Sequence, residues 1–507
     1  AGVTPNSIEG LVAAMATIAI GATWTSCSPD FGKAAIVDRI GQVSPKVLFA
    51  APEYRYGGKA HDIGGRIAEI VAEIPSITTV VVSGAGAVPG IETIAQVEFG
   101  DASAPLEFSR VPFDQPAYIL YTSGTTGIPK AIVHRAGGVL MQHMKEHILH
   151  GDVRPGDAVI WYTNTAWMMY HWMVSALGAG AAIVLYDGAP ILKAAEGLDP
   201  SPLWTLAEDL RVSHLGISPK YLATLAAEGY NPGELHDLSA LRGLLVCGAP
   251  TLPHQFDWVY TAIKQDIFFA SISGGTEILG SFLIGSPLHP VRRGQLTVPA
   301  LGHAVAVLDE RGAPCVGRRG ELVCTEPFPS MPLTFWGEGG GQRYRETYFG
   351  DRAEIWTHGD VAELTFTGGG YVHGRSDNTL KPGGVRIGIS EIYAVCEKYA
   401  EVDDFLVFGA SHEGDEEVVL VLKPAEGAVI TPALIKDMRL KIRTEASPRH
   451  VPARVHLVQG VPYTINGKRV EGAARTTVAG GTVKNLGSIA NPECLEEYKM
   501  LKREEAL

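Results

Sequence analysis

Short apolar runs alternate with amphipathic stretches along the first half of the chain. Runs at 47–51, 79–82, 117–121, 158–162, 182–186, 215–217, 243–246 and 267–270 have the length and β-branched or aromatic content of buried strands. Between several of them lie segments such as 137–150, 203–210 and 219–227, whose apolar positions recur at helical spacing. This β–α alternation predicts an α/β fold built on parallel, doubly wound sheets. The stretch 7–20 reads as a core helix. The pattern changes near residue 295. Runs at 305–308 and 321–324 flank the turn Asp309-Glu310-Arg311-Gly312, which predicts a small antiparallel β subdomain over about 295–370. Beyond Arg375 the order is helix (391–400), two strands (405–409 and 417–422), helix (432–445) and strand (454–458), as in a compact α+β domain. The breaker-rich segment 375–384 reads as a linker. The expected division is therefore an N-terminal domain, 1–376, and a mobile C-terminal domain, 377–507.

Composition narrows the class. The chain has 507 residues, 46% of them hydrophobic and 19% charged, as in a well-packed protein of more than one domain. Apolar runs at 11–24 and 176–186 are too short or too rich in Gly and Ala to span a bilayer, so no stable membrane insertion is expected. The chain starts with Ala and no charged leader, and an upstream segment is expected to precede it. Six cysteines without a C-x-x-C pair exclude a disulfide scaffold and a zinc ribbon, and suggest a reducing, cytoplasmic setting. A net charge of −13 argues against nucleic-acid binding. It also means that a bound nucleotide must be met by locally gathered cations.

The segment after the 117–121 strand shows where. Thr122, Ser123, Gly124, Thr125, Thr126 and Gly127, followed by Lys130, combine hydroxyls, glycines and a lysine. Such a loop suits phosphate, because glycine lets the backbone approach and N–H and O–H groups donate to the oxygens. It is not a Walker A loop: the Gly-Lys pairs at Lys33, Lys59 and Lys468 are followed by Ala34, Ala60 and Arg469. Further short motifs follow in order: Gly248-Ala249-Pro250, Ser273-Gly274-Gly275-Thr276-Glu277, His358-Gly359-Asp360, Gly374-Arg375 and Asn466-Gly467-Lys468. Each alone is weak; their joint order is the signal.

That set resembles the adenylate-forming superfamily, which includes acyl-CoA synthetases, luciferases and peptide-synthetase adenylation domains. The resemblance covers essentially the whole chain and implies activation of a carboxylate by ATP, with Mg²⁺, to an acyl-adenylate that is passed to a thiol. It implies roles residue by residue. The 122–130 loop would grip the β- and γ-phosphates. Gly248 to Pro250 and Ser273 to Thr276 would flank the nucleotide. Glu277, with Thr126, would hold the metal ion. Asp360 would bind the ribose, and Arg375 and Arg386 ribose or phosphate. Lys468 would stabilise the charge developing between carboxylate and α-phosphate. Asp377 would be the hinge, Gly383 and Gly384 would line the pantetheine tunnel, and Arg443 would meet CoA phosphate. Lys468 would also be open to a protein acetyltransferase.

Local segments narrow the resemblance. The stretches 26–32, 54–59, 167–172 running on to 185–190, 383–393 and 447–452 are similar to the acetoacetyl-CoA synthetase family. That implies acetoacetate, ATP and CoA as substrates, with butyrate or propionate as the alternative acid. In related acetate enzymes a tryptophan closes the acyl pocket three residues before the Thr-Glu glutamate. Gly274 stands there in this chain, so the expectation is an opened pocket walled by Trp167 and Cys247. His134 and His171 have no metal-ligand spacing and are read as ordinary polar residues. A nucleotide-binding regulatory protein without catalysis is the reading from a different class. The joint presence of Glu277, Asp360, Arg375 and Lys468 weighs against it.

Overall fold

The computed structural model describes the chain except residues 102, 123–128, 195–196, 377–379, 381, 383–386, 413–414, 465–466, 484–485, 502–505 and 507. Two five-stranded sheets are parallel throughout. The first is ordered Ser26–Cys27, Gly2–Val3, Val47–Ala50, Thr79–Val82 and Ile94–Ala95. The second is ordered Ala182–Ile183, Ala158–Trp161, His214–Ile217, Gly243–Val246 and Phe268–Ser271. In the second sheet the strands His214–Ile217 and Gly243–Val246 are buried along their whole length, as strands covered on both faces must be. Helices Pro202–Asp209, Pro219–Ala227 and Pro253–Trp258 contribute Leu203, Leu222 and Phe256 to the core against it.

Three expectations change. The strand Pro116–Tyr121 belongs to neither parallel sheet. It pairs antiparallel with Ala131–Arg135, so the phosphate loop joins two strands of a hairpin. The predicted 182–186 strand shortens to Ala182–Ile183, because the Tyr186 ring folds back toward Gly188 and its hydroxyl donates to the Ala189 carbonyl. The helix Ile8–Ala19 is a surface helix. It buries small residues (Gly10, Ala13 and Ala14) and leaves Ile8 70% and Val12 51% exposed.

The antiparallel subdomain orders Val305–Leu308, Gly320–Cys324, Trp356–Leu364 and Gly370–Arg375. The C-terminal region is a three-stranded sheet. Val402–His412 pairs antiparallel with Asp415–Pro424, which pairs parallel with Arg454–Leu457. Helices Ser390–Cys396 and Pro432–Glu445 cover one face with Ile392, Ile435, Met438 and Ile442. Thr431 caps the second helix by accepting from the Leu434 amide.

One buried carboxylate ties two helices to the strand Gly280–Ile284. The helix Ala136–Lys145 runs into a π-helical turn, Glu146–His150, which turns Glu146 inward. Its oxygens accept from Gln142 Nε2 (2.6 Å), Trp172 Nε1 (2.8 Å) and the Ser281 amide (2.8 Å). Burial raises its pKa, opposed by Lys145 and these donors. Glu146→Ala strands three donors, and is expected to lower the urea midpoint by the equivalent of about 3 kcal/mol. An unchanged midpoint would contradict the bracing role.

Candidate active site

The carboxyl ends of the second sheet's strands converge on one cleft, where open parallel sheets bind ligands. From Gly243–Val246 the chain continues into Cys247 and Gly248, whose φ of +100° needs glycine. Gly248, Ala249 and Pro250 are exposed along the cleft's lip. A Cβ on Gly248 would meet the Trp167 ring only at 4.0 Å, so Trp167 stands beside this turn. Cys247 is buried, and desolvation pushes its thiol up to about 12 against the pull of Lys468. Trp167, Cys247 and Lys468 therefore share one corner of the cleft.

Phe268–Ser271 leads into the short strand Ser273–Gly275 and then Glu277. Gly275 is required by crowding. A Cβ there would sit 2.3 Å from a Glu277 carboxylate oxygen and 3.2 Å from the His358 ring. The strand Trp356–Leu364 carries His358 and Asp360, and Asp360 pairs across the sheet with Arg375. His358 Nε2 and Arg375 Nη1 each lie 3.6 Å from an Asp360 oxygen. Arg375 also donates to the His358 carbonyl at 3.2 Å. Glu321 holds the strand ends, accepting from the Gly359 amide (3.0 Å) and Ser376 Oγ (2.6 Å).

The two carboxylates differ in environment. Burial alone would raise the Glu277 pKa, but His358, Arg375 and Lys468 outweigh it and hold the group below the usual carboxylate range. Asp360 is more deeply buried, and desolvation together with Glu277 carries its pKa upward despite His358, Arg375 and Lys468. Beneath them burial takes the His134 imidazole down to about 3, a neutral ring against Glu277 and Thr276.

Lys468 reaches this cluster from the C-terminal region, on a turn closed by Thr464. The Thr464 amide donates to the Lys468 carbonyl (2.7 Å), and the Lys468 amide donates to Thr464 Oγ1 (3.0 Å). Its side chain is exposed toward the cleft's carboxylates.

The phosphate-loop residues Ser123, Gly124, Thr125, Thr126 and Gly127 lie outside the described residues, as do Asp377, Gly383, Gly384 and Arg386. The loop's ends are described. The Thr122 amide donates to the Lys130 carbonyl at 3.3 Å, and the Lys130 ammonium lies 5.6 Å from the Phe335 ring and 5.9 Å from the Tyr348 ring. A cavity of about 280 Å³ lined by Lys130, Phe335, Arg343, Glu346 and Thr347 opens there.

Gly274 does not open the pocket in the way its missing side chain suggested. A Cβ there would point at the facing strand, 1.9 Å from the Gly280 carbonyl oxygen. The glycine permits the 273–275 strand to close on Gly280–Ile284. Arg443 is exposed on the last turn of Pro432–Glu445, and no contact described here joins it to the cluster.

Residues 1–331 match the family described as AMP-binding enzyme. The acetoacetyl-coenzyme A synthetase of Rhizobium meliloti is 44% identical over 99% of this chain and 77% of its own length. This chain belongs to the acetoacetyl-CoA synthetase family. The Gallus gallus member is 40% identical over 98% of the chain and 76% of its own length. The solved structure of acetoacetyl-CoA synthetase from Streptomyces lividans superimposes with a TM-score of 0.91 at 39% identity, covering 100% of this chain and 78% of that one. In the sequence His358 is only part of the His-Gly-Asp motif and His134 an ordinary polar residue. Their signal lies only in the fold, which brings both rings to Glu277.

Because cations depress the Glu277 pKa, its ionised form persists at neutral pH and is lost only as pH falls through the folded value. Arg375→Gln removes one of those cations. The acid limb of the pH profile for ATP binding is expected to move to higher pH in this variant; an unmoved or downward-shifted limb would contradict the assignment.

Proposed function

We propose that this chain ligates acetoacetate to coenzyme A in two steps. A carboxylate oxygen of the acid attacks the α-phosphorus of ATP and pyrophosphate leaves. The CoA thiol, losing its proton, then attacks the acyl carbon and AMP leaves with the bridging oxygen. The observation that carries this reading is the convergence of Glu277, Asp360, Arg375 and Lys468, from three parts of the chain, on one cleft.

Asp360 would accept the ribose hydroxyls, donors that would oppose the upward shift that desolvation and Glu277 give its pKa. Lys468 would bridge the incoming carboxylate and the α-phosphate, with stabilisation greatest as charge develops between them. Trp167 and Cys247 would wall the acid, and Gly248 to Pro250 with Ser273 to Thr276 would flank the nucleotide. The loop through Ser123, Gly124, Thr125, Thr126 and Gly127, with Lys130 and Arg386, would hold the phosphates.

An ionised Glu277 fits Mg²⁺, which takes one or two carboxylates and completes its shell with phosphate oxygens and water. Among the described residues no group of three or more His, Cys, Asp or Glu could hold a metal alone. Glu277 and Thr126 would hold the ion, which supplies charge neutralisation on the departing pyrophosphate.

For the second step we assign Asp377 as the hinge between domains 1–376 and 377–507, and Gly383, Gly384 and Arg443 as the CoA contacts. All six cysteines are free thiols, which supports a reducing, cytoplasmic setting. No helix among the described residues is long and apolar enough to cross a membrane. The exposure of Lys468 supports access by a protein acetyltransferase.

Two outcomes test the reading. Pyrophosphate–ATP exchange measured with acetate, propionate, butyrate and acetoacetate is expected to be fastest with acetoacetate. A faster rate with any other acid would overturn the substrate assignment. Lys468→Ala is expected to slow exchange by about 10²–10³, while thioester formation from supplied acetoacetyl-adenylate is retained. Equal loss of both steps would show that the lysine does not act on adenylation alone.

A further inference from the structure

The helix Pro219–Ala227 begins at the carboxyl edge of the second sheet, directly after His214–Ile217, with Ser218 as its cap. Its second residue is Lys220. The Lys220 ammonium lies 3.9 Å from the centroid of the Tyr463 ring, which belongs to the C-terminal region. Tyr463 opens the turn that carries Lys468, since Tyr463 and Arg469 pair across it. The ring is fixed from behind. Its hydroxyl donates its proton to the Asp404 carboxylate, whose oxygens lie 2.9 and 2.8 Å away. Arg469 donates to the same carboxylate at 2.9 Å, with its guanidinium 4.3 Å from the Phe405 ring. The ring therefore presents one face to the N-terminal region, and Lys220 occupies it.

We propose that Lys220 is a positioning residue for adenylation: its cation on the Tyr463 face holds the 463–469 turn so that Lys468 stays at Glu277 and Asp360. The proposal rests on the reading of Lys468 as the adenylation lysine. Lys220 touches none of the reacting groups itself. The side chain as a whole is open to solvent, but its ammonium group is partly desolvated, which lowers its pKa; Asp404 opposes that shift and Arg469 adds to it. A cation leaves water for an aromatic face only where the face offers compensating attraction, and Asp404 behind the ring strengthens it. A further charged contact between the two regions, Arg319 with Glu391, lies on the antiparallel subdomain. It bears on the Ser390–Cys396 helix, whereas the Lys468 turn is braced by the Thr464–Ile489 bridge and by Asn491, which accepts from the Tyr463 amide, and meets the Lys220 cation on its Tyr463 face.

The test separates this role from general stability. Lys220→Met keeps the stem and removes the charge. It is expected to slow acetoacetate-dependent pyrophosphate exchange about fivefold while thioester formation from supplied acetoacetyl-adenylate changes by less than about twofold. Lys220→Arg, which keeps a cation for the ring, is expected to restore exchange, and adding Tyr463→Leu to Lys220→Met is expected to cost no more than the larger single effect. A substrate-free readout accompanies these: the distance between spin labels at Glu228→Cys and Lys436→Cys is expected to broaden in Lys220→Met and to recover in Lys220→Arg. Unchanged exchange, equal slowing of both steps, or an unchanged distance distribution would overturn the proposal. If the wild-type chain exchanges with none of the acids but its label distance still responds to Lys220→Met, the positioning contact stands and the substrate reading fails.

Discussion

Like charges crowded into a desolvated space repel, and Glu277 and Asp360 can share one cleft only because cations and ring nitrogens reach them from several directions. His358 and Arg375 come from the antiparallel subdomain and Lys468 from the C-terminal region. That balance decides much else. It requires the strand Trp356–Leu364 to lie beside the end of the second parallel sheet, and it draws the C-terminal region onto the same edge. It also leaves the two carboxylates unequal. One is held below the usual carboxylate range; the other is more buried, and desolvation raises it. In a protein of net charge −13, this local concentration of positive groups gives a polyanion a place to bind.

Backbone crowding sets the distances. Glu277 and His358 can meet because Gly275 has no Cβ between them. Gly359 plays the same part for Arg375: at a φ of +82°, a Cβ there would lie 2.9 Å from the guanidinium. The buried Glu146 and its three donors brace the elements beneath, so the cleft's floor is a packed network and its lip is exposed glycine and proline turns. A rigid base with open, glycine-bearing edges can orient a nucleotide and still admit it.

Much of this was legible in the sequence. Periodicity located the helices over 219–227 and 432–445 without error, because each has a proline at its first position and a clear apolar stripe. Ordered motifs named Glu277, Asp360, Arg375 and Lys468 before any geometry placed them together. The misses share a cause. The 117–121 run has the composition of a core strand, and nothing local says that its partner is the strand after the loop. Gly274 read as an absent wall, whereas only the facing carbonyl of Gly280 shows where its side chain would have pointed. Lys220 and Tyr463 stand 243 positions apart, and no local pattern joins them. Pairing geometry decides the first two and a contact between distant segments the third, and residue type alone marks none of them.

If the lysine and carboxylates of this cleft act as proposed, an oxygen of the acid becomes bonded to the α-phosphorus of ATP. Transfer of label from acetoacetate carrying ¹⁸O in its carboxylate tests that most directly, with the AMP formed during thioester synthesis analysed by mass spectrometry. AMP is expected to bear one atom of ¹⁸O per turnover, because the thiol attacks the acyl carbon and the bridging oxygen leaves with phosphorus. Thioester formation with unlabelled AMP would contradict it.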